Sequence, residues 1–369
     1  MINYLPTVIK KRVAIAADDP DPIEINLKNA VSKMQIVYEC TNGNAASSDG
    51  HPAKCLTTIS LDEGSTNCFS LNGQQTQAVD FYHNRRAIAN KIRYLNGNAS
   101  NMIFDINFGR YLYDPELAWQ ANLYQNAELT LGIDISGAGG AAATGGYLTV
   151  LAWLFDKPIN PKGYLYHEAK KHVTVAATAS NYTKLPTDYP IRKLLLQAQK
   201  YESQPGSIID TVDLKQEGPE KKIIDGMSFT ELIRLMGAEY PLYQEVVIAP
   251  GTTVATTHHI TPTSDVRFLG ACSWRDASAV TGVSCYQGAG GRYTEIQSNA
   301  GPNYSVGVEG QAPHGVVDIP FGDQLDMNEW YTIPPNGNCQ LTLKGGAAAA
   351  DSDINILLQT VKQYARGQK

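Results

Sequence analysis

Hydrophobic and polar residues alternate with a period of two through most of this chain. Ile23, Ile25 and Leu27 alternate with Glu24, Asn26 and Lys28, and Met34, Ile36, Tyr38 and Cys40 line one side of the next segment. Phe104, Ile106 and Phe108 repeat the rhythm, as do Leu129, Leu131, Ile133 and Ile135. It returns at residues 147–155, 191–199, 304–308, 340–343 and 354–361. Residues two apart share a face of a strand, so each stretch predicts a strand with one buried and one wetter side. Glycine and proline breaks between them favour antiparallel sandwiches over a parallel sheet with crossover helices.

Three helices are signalled. Asp114-Pro115-Glu116 reads as an N-cap, a proline at the first helical position and an acidic first turn. Ser228-Phe-Thr-Glu231 is a capping box, followed by Phe229, Leu232, Ile233 and Met236 on one face and Gly237 as a stop. Residues 80–95 also read as a helix ended by Asn96-Gly97, with Phe81, Ile88, Ile92 and Leu95 in line. None alternates regularly with strands, so the class is all-β with short helices inserted in loops.

A boundary falls near Leu185–Pro190, where Pro186 and Pro190 flank a turn between strand-like residues 172–178 and 191–199. It divides the chain into near-equal halves. Each carries alternating segments, a helix and an alanine-glycine loop, at 136–146 and 345–350, with a Leu-Thr-Leu or similar strand before it and an apolar strand after it. Two β-sandwiches in tandem are expected.

Composition narrows the function. Thirty Lys and Arg against 36 Asp and Glu give a net charge of −6, a poor basis for non-specific nucleic-acid binding. Charged residues are 18% of the chain, against roughly 25% in an average soluble protein, which suggests much covered surface. The first residues, Met-Ile-Asn-Tyr-Leu-Pro, lack the layout of a secretory signal, and no apolar run approaches the ~20 residues of a membrane span. The six cysteines, Cys40, Cys55, Cys68, Cys272, Cys285 and Cys339, form no C-x-x-C pair and are expected as free thiols in a reducing cytoplasm.

Candidate chemistry is sparse. Gly137-Ala-Gly139-Gly-Ala-Ala142 fits a loose dinucleotide fingerprint, but a strand follows where a helix is required, so a hairpin loop is expected and no nucleotide. His167-Glu-Ala-Lys-Lys-His172 has one residue too many for a zincin motif; at i and i+5 the rings stand about 140° apart on a helix, and a polar turn entering a strand is expected. His258 and His259 would face opposite sides of a strand, while His83 and His314 stand alone. No G-x-S-x-G elbow occurs, and nothing selects a glycosidase carboxylate pair. Asp18, Asp19 and Asp21 read as a solvated linker. Twenty tyrosines suit a sugar-binding surface as well as sandwich faces and protein interfaces. No catalytic residue, cofactor or metal is expected. Basic residues gather near both ends, at Lys10, Lys11 and Arg12, and at Lys362, Arg366 and Lys369. They are solvated tails or one face turned to anionic lipid or a partner.

The arrangement resembles the double jelly-roll major capsid proteins of tailless icosahedral, membrane-containing viruses (phages among them). Locally the resemblance rests on Val173-Thr-Val-Ala-Ala and Tyr182-Thr-Lys-Leu-Pro186 passing into Ile191-Arg-Lys-Leu-Leu-Leu196, like the last strand of one roll, a crossing and the first strand of the next. It implies two tandem jelly-roll β-sandwiches, with an N-terminal arm over 1–20, a first roll over 21–185 and a second over 186–369. It also implies homotrimeric, pseudo-hexagonal capsomers forming a virion shell over an internal membrane, made in the host cytoplasm. The partners would be neighbouring capsomers, penton or minor capsid proteins and the virion lipid, with no direct nucleic-acid binding. Lys10, Lys11 and Arg12 are the candidate inner-face contact. The alternative is a carbohydrate- or receptor-binding β-sandwich protein, such as a virion spike or adhesin; a glycan hydrolase comes third.

Overall fold

The computed structural model describes residues 4–364 apart from 19, 44–49, 65, 125, 137–144, 218–220, 252–253, 274–282, 288, 298–302 and 335–336. In the first half lie β1 (Tyr4–Ile15), β2 (Ile23–Glu24), β3 (Val31–Thr41), β4 (Leu56–Glu63), β5 (Thr66–Leu71), β6 (Ile92–Arg93), β7 (Ala99–Asn107), β8 (Ala127–Ile133) and β9 (Gly146–Phe155). Helix α1 (Gly73–Asn84) stands between β5 and β6. The second half opens with β10 (Gly163–Val173), β11 (Ser180–Lys184), β12 (Ile191–Gln199), the single turn α2 (Pro205–Ile208), β13 (Ile209–Gln216), β14 (Lys221–Ser228) and helix α3 (Phe229–Glu239). It continues through β15 (Tyr243–Ala249), β16 (Thr256–His259), β17 (Pro262–Ser273), β18 (Val283–Gln287), β19 (Arg292–Gln297) and β20 (Tyr304–Pro313). It closes with β21 (Val316–Pro320), β22 (Cys339–Gly345) and β23 (Asp353–Gln363).

The hydrogen-bonded strand orders repeat. The first half has β1-β9-β3-β7 and β2-β8-β4-β5; the second has β10-β23-β12-β21 and β11-β22-β13-β14. Exchanging each strand for its counterpart (β1 for β10, β3 for β12, β9 for β23) turns one set into the other. In both halves a capped helix follows the counterpart strands β5 and β14. The remaining strands form β17-β20-β15-β6 and β16-β19-β18. The alternation fills the cores as the pattern predicts: Met34, Ile36, Tyr38, Phe104, Leu129 and Val150 are buried in one cluster, and Leu196, Val212, Leu341, Leu343 and Ile356 in the other.

Several expectations are corrected. The rolls are not separate sheets, because β5 and β10 pair in parallel through His167–Phe69 and Glu168–Ser70 and join two four-stranded runs into one of eight. The first core also extends into the second half, taking in Tyr243, Val247, Tyr304 and Val306. By pairing, β10 and β11 go with the second set, bonding to β23 and β22, so the segment expected as a crossing at Leu185–Pro190 links β11 to β12. Residues expected as an N-terminal arm hold β1, which lies antiparallel on β9 at a sheet edge. The strand expected from Ile23 to Leu27 closes after Glu24.

No helix starts at Asp114. Its carboxylate is taken by Arg110 Nε at 2.6 Å and by the Glu116 N–H at 3.0 Å, and the chain beyond stays irregular. The helix expected over 80–95 is α1, shifted to Gly73–Asn84 and ended by Arg85 in the left-handed region at φ 52°. The helix α3 runs through Gly237 to Glu239, so Gly237 is no stop; it lies against the Gln311 amide.

Candidate functional site

The most chemically dense region is the polar layer between the rolls. Helix α1 is buried along most of its length, yet its sequence is rich in glutamine. A hydrated amide loses its water on burial and is stable there only when bonded, and these amides find partners across the layer. Gln75 Nε2 donates to Gln197 Oε1 on β12 at 2.9 Å, and Asn355 of β23 donates to the same oxygen at 3.0 Å. Tyr82 Oη donates to Val316 O at 2.7 Å. Lys193 Nζ lies 2.5 Å from Asp318 Oδ2 and 3.1 Å from Tyr82 O, and the Tyr240 hydroxyl donates to the same carboxylate. Burial lowers Lys193 to about 8 even beside its carboxylate. Arg192 donates to Gln359 Oε1 at 2.8 Å, and the Gln359 amide donates to His167 Nε2 at 2.6 Å.

A second chain of contacts brings His51, His314, Thr261 and Glu245 together. Ala53 N–H donates to His51 Nδ1 at 3.1 Å, which leaves the proton on Nε2, facing Thr261 Oγ1 at 3.2 Å. The Thr261 hydroxyl donates to Glu245 Oε2 at 2.7 Å, and its N–H donates to Oε1 at 2.6 Å. The imidazole therefore presents a donor to the hydroxyl, not a base, and Thr261 is fully buried. A nucleophile needs a base and access. Glu245 is a carboxylate acceptor for the hydroxyl, but Thr261 is fully buried, so the cluster lacks the access a nucleophile needs.

A cleft of about 460 Å³ opens where the rolls meet. Lys54, Thr58, Ser70 and Asn72 line it from one roll, and His172, Gln199, Asp353 and Asn355 from the other. Its lining contains no Trp, Tyr or Phe ring on which a sugar would stack.

The residues singled out from the sequence distribute as follows. Lys10, Lys11 and Arg12 lie on β1, all three exposed. Arg12 sits at a bulge with φ 47°, its Nη2 2.9 Å from Glu39 Oε2 and its guanidinium 3.6 Å above the Tyr147 ring. His167 and His172 both lie on β10, so no polar turn precedes the strand; His167 is buried and His172 exposed. His258 and His259 are both buried, and His314 does not stand alone. Residues 137–144 of the glycine-alanine loop, the expected hairpin loop, lie outside the described residues; β8 and β9 on either side sit in different sheets. The loop at 345–350 crosses between sheets, from β22 to β23. Sequence reasoning missed Gln75, Gln77, Gln197 and Gln359; the one available signal was the density of amides at 74–77.

No protein-family model matches the chain, and no curated protein is significantly similar to it. Solved structures are similar over nearly its whole length. The major capsid protein P2 from bacteriophage PM2 is 10% identical with a TM-score of 0.57, covering 99% of each chain. A chain of Sulfolobus Turreted Icosahedral Virus is 11% identical with a TM-score of 0.59, covering 97% of this chain and 90% of that one. PBCV-1 VP54 fitted into a reconstruction of the virophage Sputnik is 11% identical with a TM-score of 0.55, covering 98% and 94%. The fold is the double jelly roll of viral major capsid proteins. The strand orders repeat as two rolls would, and the amide-rich layer around α1 joins the β5–β10 pairing and the shared apolar core in holding the halves together.

Proposed function

We propose that this chain is a structural major capsid protein and not an enzyme, acting in the virion shell. The observation that carries the reading is the end-to-end likeness to double jelly rolls, both rolls included, with 97–99% of this chain covered. Three copies of a two-roll chain supply six similar rolls, the number that tiles a pseudo-hexagonal capsomer. The proposed unit is accordingly a homotrimer that packs against its neighbours and against other virion proteins, with the division between rolls within residues 156–162. An internal membrane beneath the shell, faced by Lys10 and Lys11 on β1, completes the proposal. The full burial of Thr261 and His51 supports a non-catalytic reading, and the ring-free cleft gives the carbohydrate-binding alternative no support.

Size-exclusion chromatography with light scattering on the purified chain tests it. A stable trimer is expected. A monomer that binds immobilised glycans overturns it in favour of a receptor-binding protein.

A further inference from the structure

We propose that Cys40 and Cys55 form a disulfide that ties the two sheets of the first roll together once the folded protein meets a low-molecular-weight disulfide. Their sulfurs lie 3.6 Å apart in the buried interior, both as free thiols. Bonded sulfurs stand about 2.05 Å apart, so closure requires a movement on the order of 1.5 Å, the scale of a side-chain rotation.

Both backbones are held in place. Cys40 lies in β3, opposite Ser100 of β7 and Gly146 of β9. Cys55 closes the 3-10 turn Pro52–Cys55, which His51 caps, and its carbonyl accepts the Asp134 N–H at 2.8 Å. The next residue, Leu56, begins β4 in the opposite sheet. The bond would thus run from one sheet to the other. Other described thiols have different company: Cys68 and Cys339 each lie 3.4 Å from a tyrosine hydroxyl, Tyr164 and Tyr331.

The chemistry balances. One cysteine thiolate attacks a sulfur of the reagent disulfide, forming a mixed disulfide and expelling one reagent thiolate. The second cysteine thiolate then attacks its neighbour's sulfur and expels the other. The cysteines lose two electrons and two protons, and the reagent gains both as two thiols. The Cys40 contact and burial hold the Cys55 thiol well above its ordinary range, so exchange waits for local opening near the 3-10 turn. In the folded protein the pair therefore closes slowly. This inference stands apart from the capsid reading, since it needs only the pair and its oxidant.

The test is incubation of the full chain with oxidised glutathione at mildly alkaline pH, acid quench, denaturation, maleimide labelling and intact mass, with peptide mapping. Mapping should show a linked Cys40–Cys55 peptide with no glutathione on either residue; the exposed Cys272 takes glutathione whatever the pair does and is read separately. Neither C40S nor C55S should show any cysteine-to-cysteine link. Should either variant fail to fold, the wild-type map decides alone. Linkage of any other pair, glutathione left on Cys40 or Cys55, or both left as free thiols would overturn the proposal.

Discussion

The imidazole rings of His51 and His314 meet edge to face with their centroids 4.8 Å apart, one from each half of the chain. Neither carries charge in the fold. Burial drives His314, His167 and His259 down to about 3, and holds His51 and His83 well below the ordinary histidine range. The unfolded chain protonates these rings below about pH 6.5, so it takes up more protons than the fold, and their stability contribution is lost as pH falls from there toward 3.

Two carboxyls oppose this. Burial raises Glu245 and Asp80 to about 7, so the fold binds their protons first and gains stability as pH falls from 7 to about 4. Five rings outweigh two carboxyls. The net effect between pH 6 and 4 is a loss of stability, carried most clearly by the three rings held near 3. Melting temperature should therefore drop steeply across that window. A flat or rising profile would contradict the neutral-histidine layer.

The buried pair Lys193–Asp318 yields a second expectation. Lys193→Met strands a carboxylate among apolar groups, with only the Tyr240 hydroxyl left to it among the bonds to Oδ2. Breaking one partner of such a pair costs about 3–5 kcal/mol, whereas replacing both is close to neutral. Urea unfolding should show a large loss for Lys193→Met and recovery of more than half of it in Lys193→Met/Asp318→Leu. Equal losses in the two variants would mean that the ion pair itself, not the stranded charge, sets the energy.

What was legible in the sequence was whatever one face of an element expresses. Met34, Ile36 and Tyr38 on β3 point into the first core, and Leu341 and Leu343 on β22 into the second, each from one face of its strand, so their alternation reads directly. The helix α3 shows an apolar stripe behind a Ser228–Glu231 box. In α1 the same box exists, but Gln74, Gln75 and Gln77 are buried by bonding across the rolls and not by apolar contact, so no stripe betrays it. Strand β12 is covered on both sides, with Leu194 and Leu196 in the second core and Arg192, Lys193 and Gln197 turned into the polar layer. Those polar residues read as a wet face because charge and amide look alike whether water or another roll satisfies them. Asp114 failed for a related reason, since a cap signal cannot show that Arg110 claims the carboxylate.

The two capping boxes should differ in worth. At α3, Glu231 N–H donates to Ser228 Oγ at 3.2 Å in an exposed setting, and Ser228→Ala should cost about 1 kcal/mol. At α1, Gln75 N–H donates to Asn72 Oδ1 at 2.8 Å, while the Gln75 side chain both accepts from the Asn72 N–H and donates to Gln197. Asn72→Ala should cost more than Ser228→Ala, up to about 2 kcal/mol. Chemical denaturation of both variants measures the order, and a smaller loss for Asn72→Ala would detach α1 from the layer it is argued to organise.

The basic edge separates into two roles, which sharpens the membrane test. Arg12 is committed to Glu39 and the Tyr147 ring, so removing it disturbs the bulge of β1 as well as the charge. Lys10 and Lys11 are exposed on the same strand and make no described ion pair. A lysine near an anionic surface contributes about 1 kcal/mol, screened beyond about 8 Å at physiological salt. Lys10→Gln/Lys11→Gln should therefore leave oligomeric state and melting temperature unchanged while cutting co-flotation with anionic liposomes at low salt by about tenfold or more. Arg12→Gln should instead lower the melting temperature, because its partners are lost. Added salt should weaken both effects, since the Arg12 side chain is more than half exposed and its pair with Glu39 is screened as the lysines' surface attraction is. If the parent does not float, or the double lysine variant floats equally well, β1 does not face lipid.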